Sequence, residues 1–144
     1  MAQPPSSWTF TNNARTNLLD GTDDWATDSF KIALFTSTAV LGPTSTTYGS
    51  LANEVPAGNG YTTGGAAVSL VLSGSTAVSV KTSTTVVWTG SNSGLSAYYA
   101  VLYAVTSGDI IAYCLLDSTP QNVVIAAGAT LTIDNTSTPL VTLS

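Results

Sequence analysis

The sequence predicts an all-β protein: an antiparallel, jelly-roll-like β-sandwich with an extended N-terminal arm and at most a short N-terminal helix. Three observations predict it. From Ser29 onward, short runs rich in Val, Ile and Thr recur, the composition of a pleated, half-buried surface. Between them fall clusters of small turn residues, Ser73-Gly74-Ser75, Gly90 to Gly94 and Ser107-Gly108-Asp109, at the spacing of a sandwich or barrel. The run Ala97 to Val105 is apolar at nearly every position, as a strand buried on both faces is.

The elements follow in order. Residues 1–11 carry Pro4 and Pro5, show no periodicity, and hold two exposed-looking aromatics, Trp8 and Phe10; they read as the arm. Residues 12–144 read as one domain, within the usual size range. Asn12 to Leu19 predicts one or two helical turns, capped by Asn12 or Asn13 and stopped by Gly21 in a left-handed conformation. Phe30, Ile32 and Leu34 alternate with Lys31, Ala33 and Phe35 to give a strand ending near Thr36. Strands are then expected over 67–72, 77–81, 84–89, 97–105, 110–116, 123–125, 130–134 and 140–143. The connection from Thr38 to Gly65, with Pro43 and Pro56 and repeated glycines, is long for a compact domain. Such loops are usually functional or dock on something, and this one has room for a short helical turn near Tyr48 to Asn53.

Composition narrows the function. Among 144 residues there is no histidine, only three basic side chains (Arg15, Lys31, Lys81) stand against eight acidic ones, and 8% of the chain is charged. Enzymes near neutral pH draw on histidine, lysine, or carboxylates beside a cation, so a protein that packs and binds is favoured. A net charge of −5 argues against nucleic acid, since a phosphate-binding surface needs clustered Lys and Arg. The first residues have neither a basic region nor an apolar stretch, and no signal peptide is read there. No run is long enough for a membrane-spanning helix. A soluble protein made in the cytoplasm is expected. Cys114 is the single cysteine, inside the apolar run 110–116, and reads as a buried, inert thiol.

The motifs that could carry chemistry are few. Asp20, Asp23, Asp24 and Asp28 form the acidic cluster, but without calcium-loop spacing; a solvated loop is the plainer reading. Glu54 with Asp109 or Asp117 could supply a glycosidase pair, though no spacing selects one. The segment 58–65, Gly-Asn-Gly-Tyr-Thr-Thr-Gly-Gly, matches a phosphate loop only in glycine content. Its glycines read as positions of positive φ before a strand. Trp8, Trp25, Trp88 and the tyrosines could form a sugar-stacking platform, but Tyr98, Tyr99, Tyr103 and Tyr113 lie in the most apolar strands, where packing is the default. Asn135-Thr136-Ser137 matches a glycosylation sequon by chance in an unexported chain. No metal or cofactor is implied. Lys31 and Lys81 are the sole charges available to protect strand edges, so the edges are expected to be covered by the chain's own arm and loop or by neighbouring copies.

Read together, residues 28–36 (DSFKIALFT), 48–55 (YGSLANEV), 58–65 (GNGYTTGG), 86–89 (VVWT), 97–103 (AYYAVLY) and 131–133 (LTI) resemble a family of small virion structural proteins of tailed bacteriophages. The likeness runs over residues 12–144 and is most specific in 53–65. It implies a non-enzymatic particle component on the virion capsid surface. The favoured form is a decoration (cement) protein bound across junctions of the major capsid protein, with closed symmetry, a trimer being the expected order. A head-fibre or tail-associated receptor- or glycan-binding module is the alternative. On this reading the candidate contacts are Pro4, Pro5, Trp8 and Phe10 on the arm, with Leu51, Asn53 and Tyr61 in the long loop.

Overall fold

A computed structural model describes residues 7–144. Its strands are β1 (Thr9–Phe10), β2 (Phe30–Phe35), β3 (Ala66–Val68), β4 (Leu70–Ser73), β5 (Val78–Thr82) and β6 (Val86–Thr89) in the first half. β7 (Leu95–Ala97), β8 (Tyr99–Ala104), β9 (Ile110–Leu115), β10 (Val123–Ile125), β11 (Thr130–Ile133) and β12 (Val141–Leu143) complete the set. One helix, α1 (Asn12–Asp20), precedes β2. Every strand pairing among the described residues is antiparallel. The fold is therefore mostly antiparallel β-sheet with a short helix, of the general all-β sandwich type.

The largest sheet has the order β1-β9-β8-β2-β3; a three-stranded sheet runs β12-β5-β4, and the pairs β10-β7 and β11-β6 complete the set. The main core packs Phe30, Ile32, Leu34, Leu102 and Ile111 of the large sheet against Leu70, Val80, Val86, Trp88, Ile125 and Ile133. The opposite face of the large sheet carries a second cluster, Ala33, Phe35, Val101, Tyr103 and Ile110, over which Leu41, Tyr48 and Leu51 of the long connection pack. That cover explains why β8 is apolar along its whole length: both of its faces are buried, as expected from sequence.

Two expected strands are each split in two. The 67–72 run divides at Ser69: β3 pairs with β2, whereas β4 pairs with β5. The 97–105 run divides at Tyr98: β7 pairs with β10, whereas β8 pairs with β2 and β9. In both places the chain passes from one sheet to another, a change of partner that leaves no mark on an apolar run. Tyr98 itself is held there, its N–H donating to the Phe35 carbonyl at 2.8 Å and its carbonyl accepting from Leu116 N at 3.0 Å.

At the N-terminus the helix cap is Thr11 rather than Asn12 or Asn13. Thr11 sits in extended backbone at φ −71 and ψ 159, where its Oγ1 accepts from Ala14 N at 3.0 Å and donates to the Ile110 carbonyl at 2.7 Å. One hydroxyl thus satisfies an orphan helix donor and ties the helix to β9. Gly21 ends the helix in the left-handed region at φ 80, as expected.

Candidate functional site

The expected contact residues fall into two groups, on the N-terminal segment and in the 38–65 connection. Pro4 and Pro5 lie outside the described residues. Thr9 and Phe10 pair with Tyr113 and Ala112 as the edge strand of the large sheet. Phe10, expected to be exposed, is 8% exposed and stacks on buried Trp25, with ring centroids 5.4 Å apart. Trp8 is half-buried, and its indole N–H donates to Asn135 Oδ1 at 3.1 Å. The reason is the free edge of β9: once β1 pairs there, alternate side chains of the segment must point into the core. Asn135, the sequon residue, is also engaged through its Nδ2, which donates to the Thr138 carbonyl.

The long connection is organised around Glu54, the chain's sole glutamate. Its carboxylate accepts from Tyr48 Oη at 2.5 Å, Tyr61 Oη at 2.6 Å and Gly64 N at 2.7 Å. Tyr61 is an interior residue, 3% exposed, and its hydroxyl oxygen also accepts from Leu34 N in β2 at 3.0 Å. Tyr103 of β8 donates to the Gly64 carbonyl at 2.7 Å and stacks on Tyr48 with centroids 4.3 Å apart. Burial first, and hydrogen bonding to the Glu54 carboxylate second, push the Tyr48 and Tyr61 hydroxyls well above the usual phenol range. Both phenols therefore stay protonated as donors. The Glu54 carboxylate is a clasp fastening the loop to β2 and β8, with its oxygens facing three donors.

The other loop residues serve the same end. Asn53 is exposed at φ 69; its carbonyl accepts from Thr36 N at 2.9 Å and its Nδ2 donates to the Thr38 carbonyl at 3.2 Å. Leu51 is half-buried over the second cluster. Val55 N donates to the Leu34 carbonyl at 2.9 Å. Gly58 and Tyr61 exchange two backbone hydrogen bonds, making Asn59-Gly60 a tight hairpin turn with both residues at positive φ, as Asn-Gly favours. Leu51 and Asn53 reach the surface; Tyr61 does not.

A second polar network lies at the end of the helix. Asp109 accepts from Asn13 Nδ2 at 3.0 Å and Asn17 Nδ2 at 2.8 Å. Asp23 accepts from Asn17 Nδ2 at 3.3 Å and Ser107 Oγ at 3.1 Å. Asp23 is 2% exposed, so one member of the acidic cluster is not solvated as expected. Burial, outweighing those hydrogen bonds, raises its carboxyl above the ordinary range, with Asp109 and Asp28 adding to the rise. Asp20 and Asp24 are exposed and cap local turns, which hold their carboxyls low through hydrogen bonds from Thr22 and from Ala26 respectively.

The carboxylates weighed as a hydrolase pair occupy separate networks. Glu54 faces tyrosines, Asp109 faces asparagines, and buried Asp117 accepts from Thr119 N, Thr119 Oγ1 and Gln121 Nε2. Among the described residues no group of three or more His, Cys, Asp or Glu side chains is arranged to hold a metal ion. Cys114 is buried, which pushes its thiol up to about 12. Trp25 and Trp88 are core residues, leaving Trp8 as the tryptophan beside open space, a cleft of about 480 Å³ lined by Trp8, Cys114, Ile133, Asn135, Pro139 and Leu140, among others.

Sequence reasoning missed Thr11, Asn17 and Ser107, whose roles arise from contacts across 84 to 99 residues. A lone glutamate flanked by tyrosines was the available signal for the clasp. No helix among the described residues is long and apolar enough to cross a membrane. No protein-family model, no curated protein and no solved structure matches this chain.

Proposed function

We propose that this chain is a non-enzymatic structural protein of a tailed-phage virion, a capsid decoration protein that binds across junctions of the major capsid protein and stabilises the head. In this reading the layers form a jelly-roll-like sandwich whose body sits on the capsid surface as a homo-oligomer, the protein having been made in the host cytoplasm. The observation that carries it is the fate of the acids. All eight carboxylates accept hydrogen bonds from the chain's own groups, which supports a structural use of the acids in holding turns and loops. The resemblance of residues 12–144 to virion proteins supplies the particle.

The surface left for binding carries few charges, Arg15, Asp20, Asp24 and Asp134 among them, and is rich in hydroxyls. Weak contacts of that kind are sufficient on a shell, because many identical copies act at high effective concentration. Leu51 and Asn53 remain candidates for contact with capsid. Phe10 and Tyr61 are committed to the interior, and Trp8 in part.

The test is binding to purified heads that lack the protein. Co-sedimentation at hundreds of copies per head, with raised resistance to heat or chelator, is the expected result. Absence of binding, or a handful of copies per particle, rejects the decoration role. The cleft beside Trp8 favours the alternative, a glycan-binding module of a fibre or tail, since a flat aromatic ring bordering polar groups suits a sugar face. Binding on a glycan array that Trp8→Ala abolishes would establish that reading instead.

A further inference from the structure

The turn Asn59-Gly60 holds a chemistry that the Glu54 clasp does not use. Its residues stand at φ 53 and φ 97, the type I′ combination. Gly58 and Tyr61 close it with backbone hydrogen bonds of 2.8 and 3.0 Å. Glycine in the second position leaves its amide nitrogen unshielded by any side chain. The neighbouring Asn59 side chain offers a carbonyl carbon, Cγ, within ring-closing reach along the chain. Asn59 is half-buried, and its side-chain amide makes no hydrogen bond among the described residues. The amides of Asn13, Asn17, Asn53 and Asn135 are all held by partners.

We infer that Asn59 is a spontaneous deamidation site, shut by the closed loop and released whenever residues 53–65 lift from the large sheet. Water is the sole co-reactant. The Gly60 nitrogen, giving up its proton, attacks Asn59 Cγ. The bond from that nitrogen to Cγ forms, the bond from Cγ to the side-chain nitrogen breaks, and ammonia leaves with the proton. Water then opens the succinimide ring at either carbonyl. Cleavage at Cγ gives aspartate with the original main chain. Cleavage at the other carbonyl gives isoaspartate, whose main chain runs through Cβ and Cγ.

Geometry sets when this happens. Attack needs the Gly60 nitrogen to eclipse Cβ about the Cα–C bond of Asn59. In a type I′ turn ψ of the first residue is about +30°, which puts that nitrogen on the far side from Cβ. The turn has no freedom to rotate in place. The Asn59 carbonyl accepts from Ser91 N at 3.0 Å. Gly60 backs so closely on β6 that a Cβ there would lie 1.9 Å from the Thr89 carbonyl oxygen. Rotating Asn59 therefore breaks the Gly58–Tyr61 pair, and Tyr61 is the residue whose phenol joins Glu54 to Leu34. Loop opening and reactivity are one event. Isoaspartate makes it one-way, because it adds a main-chain carbon to a turn already against Thr89 and so shifts Tyr61 away from Glu54. Aspartate keeps the chain length and tolerates the left-handed region as asparagine does. The inference stands on the loop and its turn, independently of the virion reading.

The experiment follows Asn59 by peptide mapping and mass spectrometry in the full chain, incubated in warm, mildly alkaline buffer, native or unfolded in guanidinium chloride. The unfolded chain should deamidate at Asn59 and yield isoaspartate as well as aspartate. The native chain should react roughly ten-fold or more slowly, in proportion to its open population. Tyr61→Phe, with its fold checked by circular dichroism, loses one buried hydrogen bond and should speed the native reaction roughly five-fold or more. Native chain in urea below the global transition covers the case of a variant that misfolds: the Asn59 rate should climb with urea. Purified isoaspartyl chains should melt below Asn59→Asp chains, which share the charge but not the extra carbon. Several outcomes overturn the inference: an unfolded chain that keeps Asn59 intact, or a native rate equal to the unfolded one. So does a rate unmoved by urea or by a folded Tyr61→Phe chain, or an isoaspartyl chain that melts together with Asn59→Asp.

Discussion

Tyr61 and Glu54 form a two-way link between the long connection and the large sheet. The phenol donates to Glu54 Oε1 at 2.6 Å while its oxygen accepts from Leu34 N at 3.0 Å. Removing the hydroxyl in Tyr61→Phe leaves a buried β2 N–H and one carboxylate lone pair without a partner. Such a loss costs about 1–3 kcal/mol. Glu54→Gln places an amide donor where three donors already converge and should cost a similar amount. Chemical denaturation should show both midpoints lowered; an unchanged midpoint for either variant would mean that the clasp is incidental to stability.

Thr82 offers the opposite sign. It is buried opposite Leu70 of β4, and its Oγ1 has no hydrogen-bond partner. Replacing the hydroxyl by a methyl in Thr82→Val removes an unsatisfied polar group without opening a cavity, and should stabilise by about 1 kcal/mol. A thermal melt moved downward would show that the hydroxyl has a partner in solution.

The carboxylates should titrate in two directions. The Asp23 carboxyl is raised in the fold, chiefly by burial. Its contribution to stability is therefore present at low pH and is lost as pH rises through its folded value. Asp20, Asp24 and Asp134 are lowered by hydrogen bonds from their own turns. Their contributions are present above the unfolded value and vanish as pH falls through the folded one. Carbon-detected NMR across roughly pH 2 to 7 should place Asp23 above these three. The order reversed would refute the burial of Asp23.

Gly65 is a packing position within the 58–65 segment. It adopts φ +78, and a Cβ there would lie 1.9 Å from the Ile32 carbonyl oxygen in β2. Gly65→Ala must push the loop from the sheet or strain the strand, and should destabilise by more than the ordinary 1 kcal/mol cost of a left-handed alanine. Gly21→Ala, at φ +80 with open space around its Cβ, is the control for backbone strain alone. Equal losses in the two variants would rule out the close approach.

The 53–65 segment was legible as special, and the structure gives a physical reason: Glu54, Val55, Tyr61, Gly64 and Gly65 all bind or abut the large sheet. Their distinctiveness reflects the closing of a loop over an apolar face, which is a requirement of folding before it is one of binding. Phe10 was read as a contact residue because its aperiodic segment looks exposed, and Tyr61 because it lies in the long connection expected to reach neighbouring subunits. Their burial depends on strands 27 to 102 residues away, which no local pattern encodes.

Most strand positions, turn positions, the helix stop at Gly21 and the doubly buried β8 were determined by sequence alone, since alternation, small-residue turns and continuous apolar runs are local consequences of the pleat and of backbone sterics. Where the chain leaves one sheet for another, at Ser69 and Tyr98, was decided only in three dimensions. So was the conversion of scattered Asp, Asn, Thr and Tyr side chains into closed hydrogen-bond networks. Both depend on which distant backbone groups lack a partner, and that accounting exists only once the sheets have stacked.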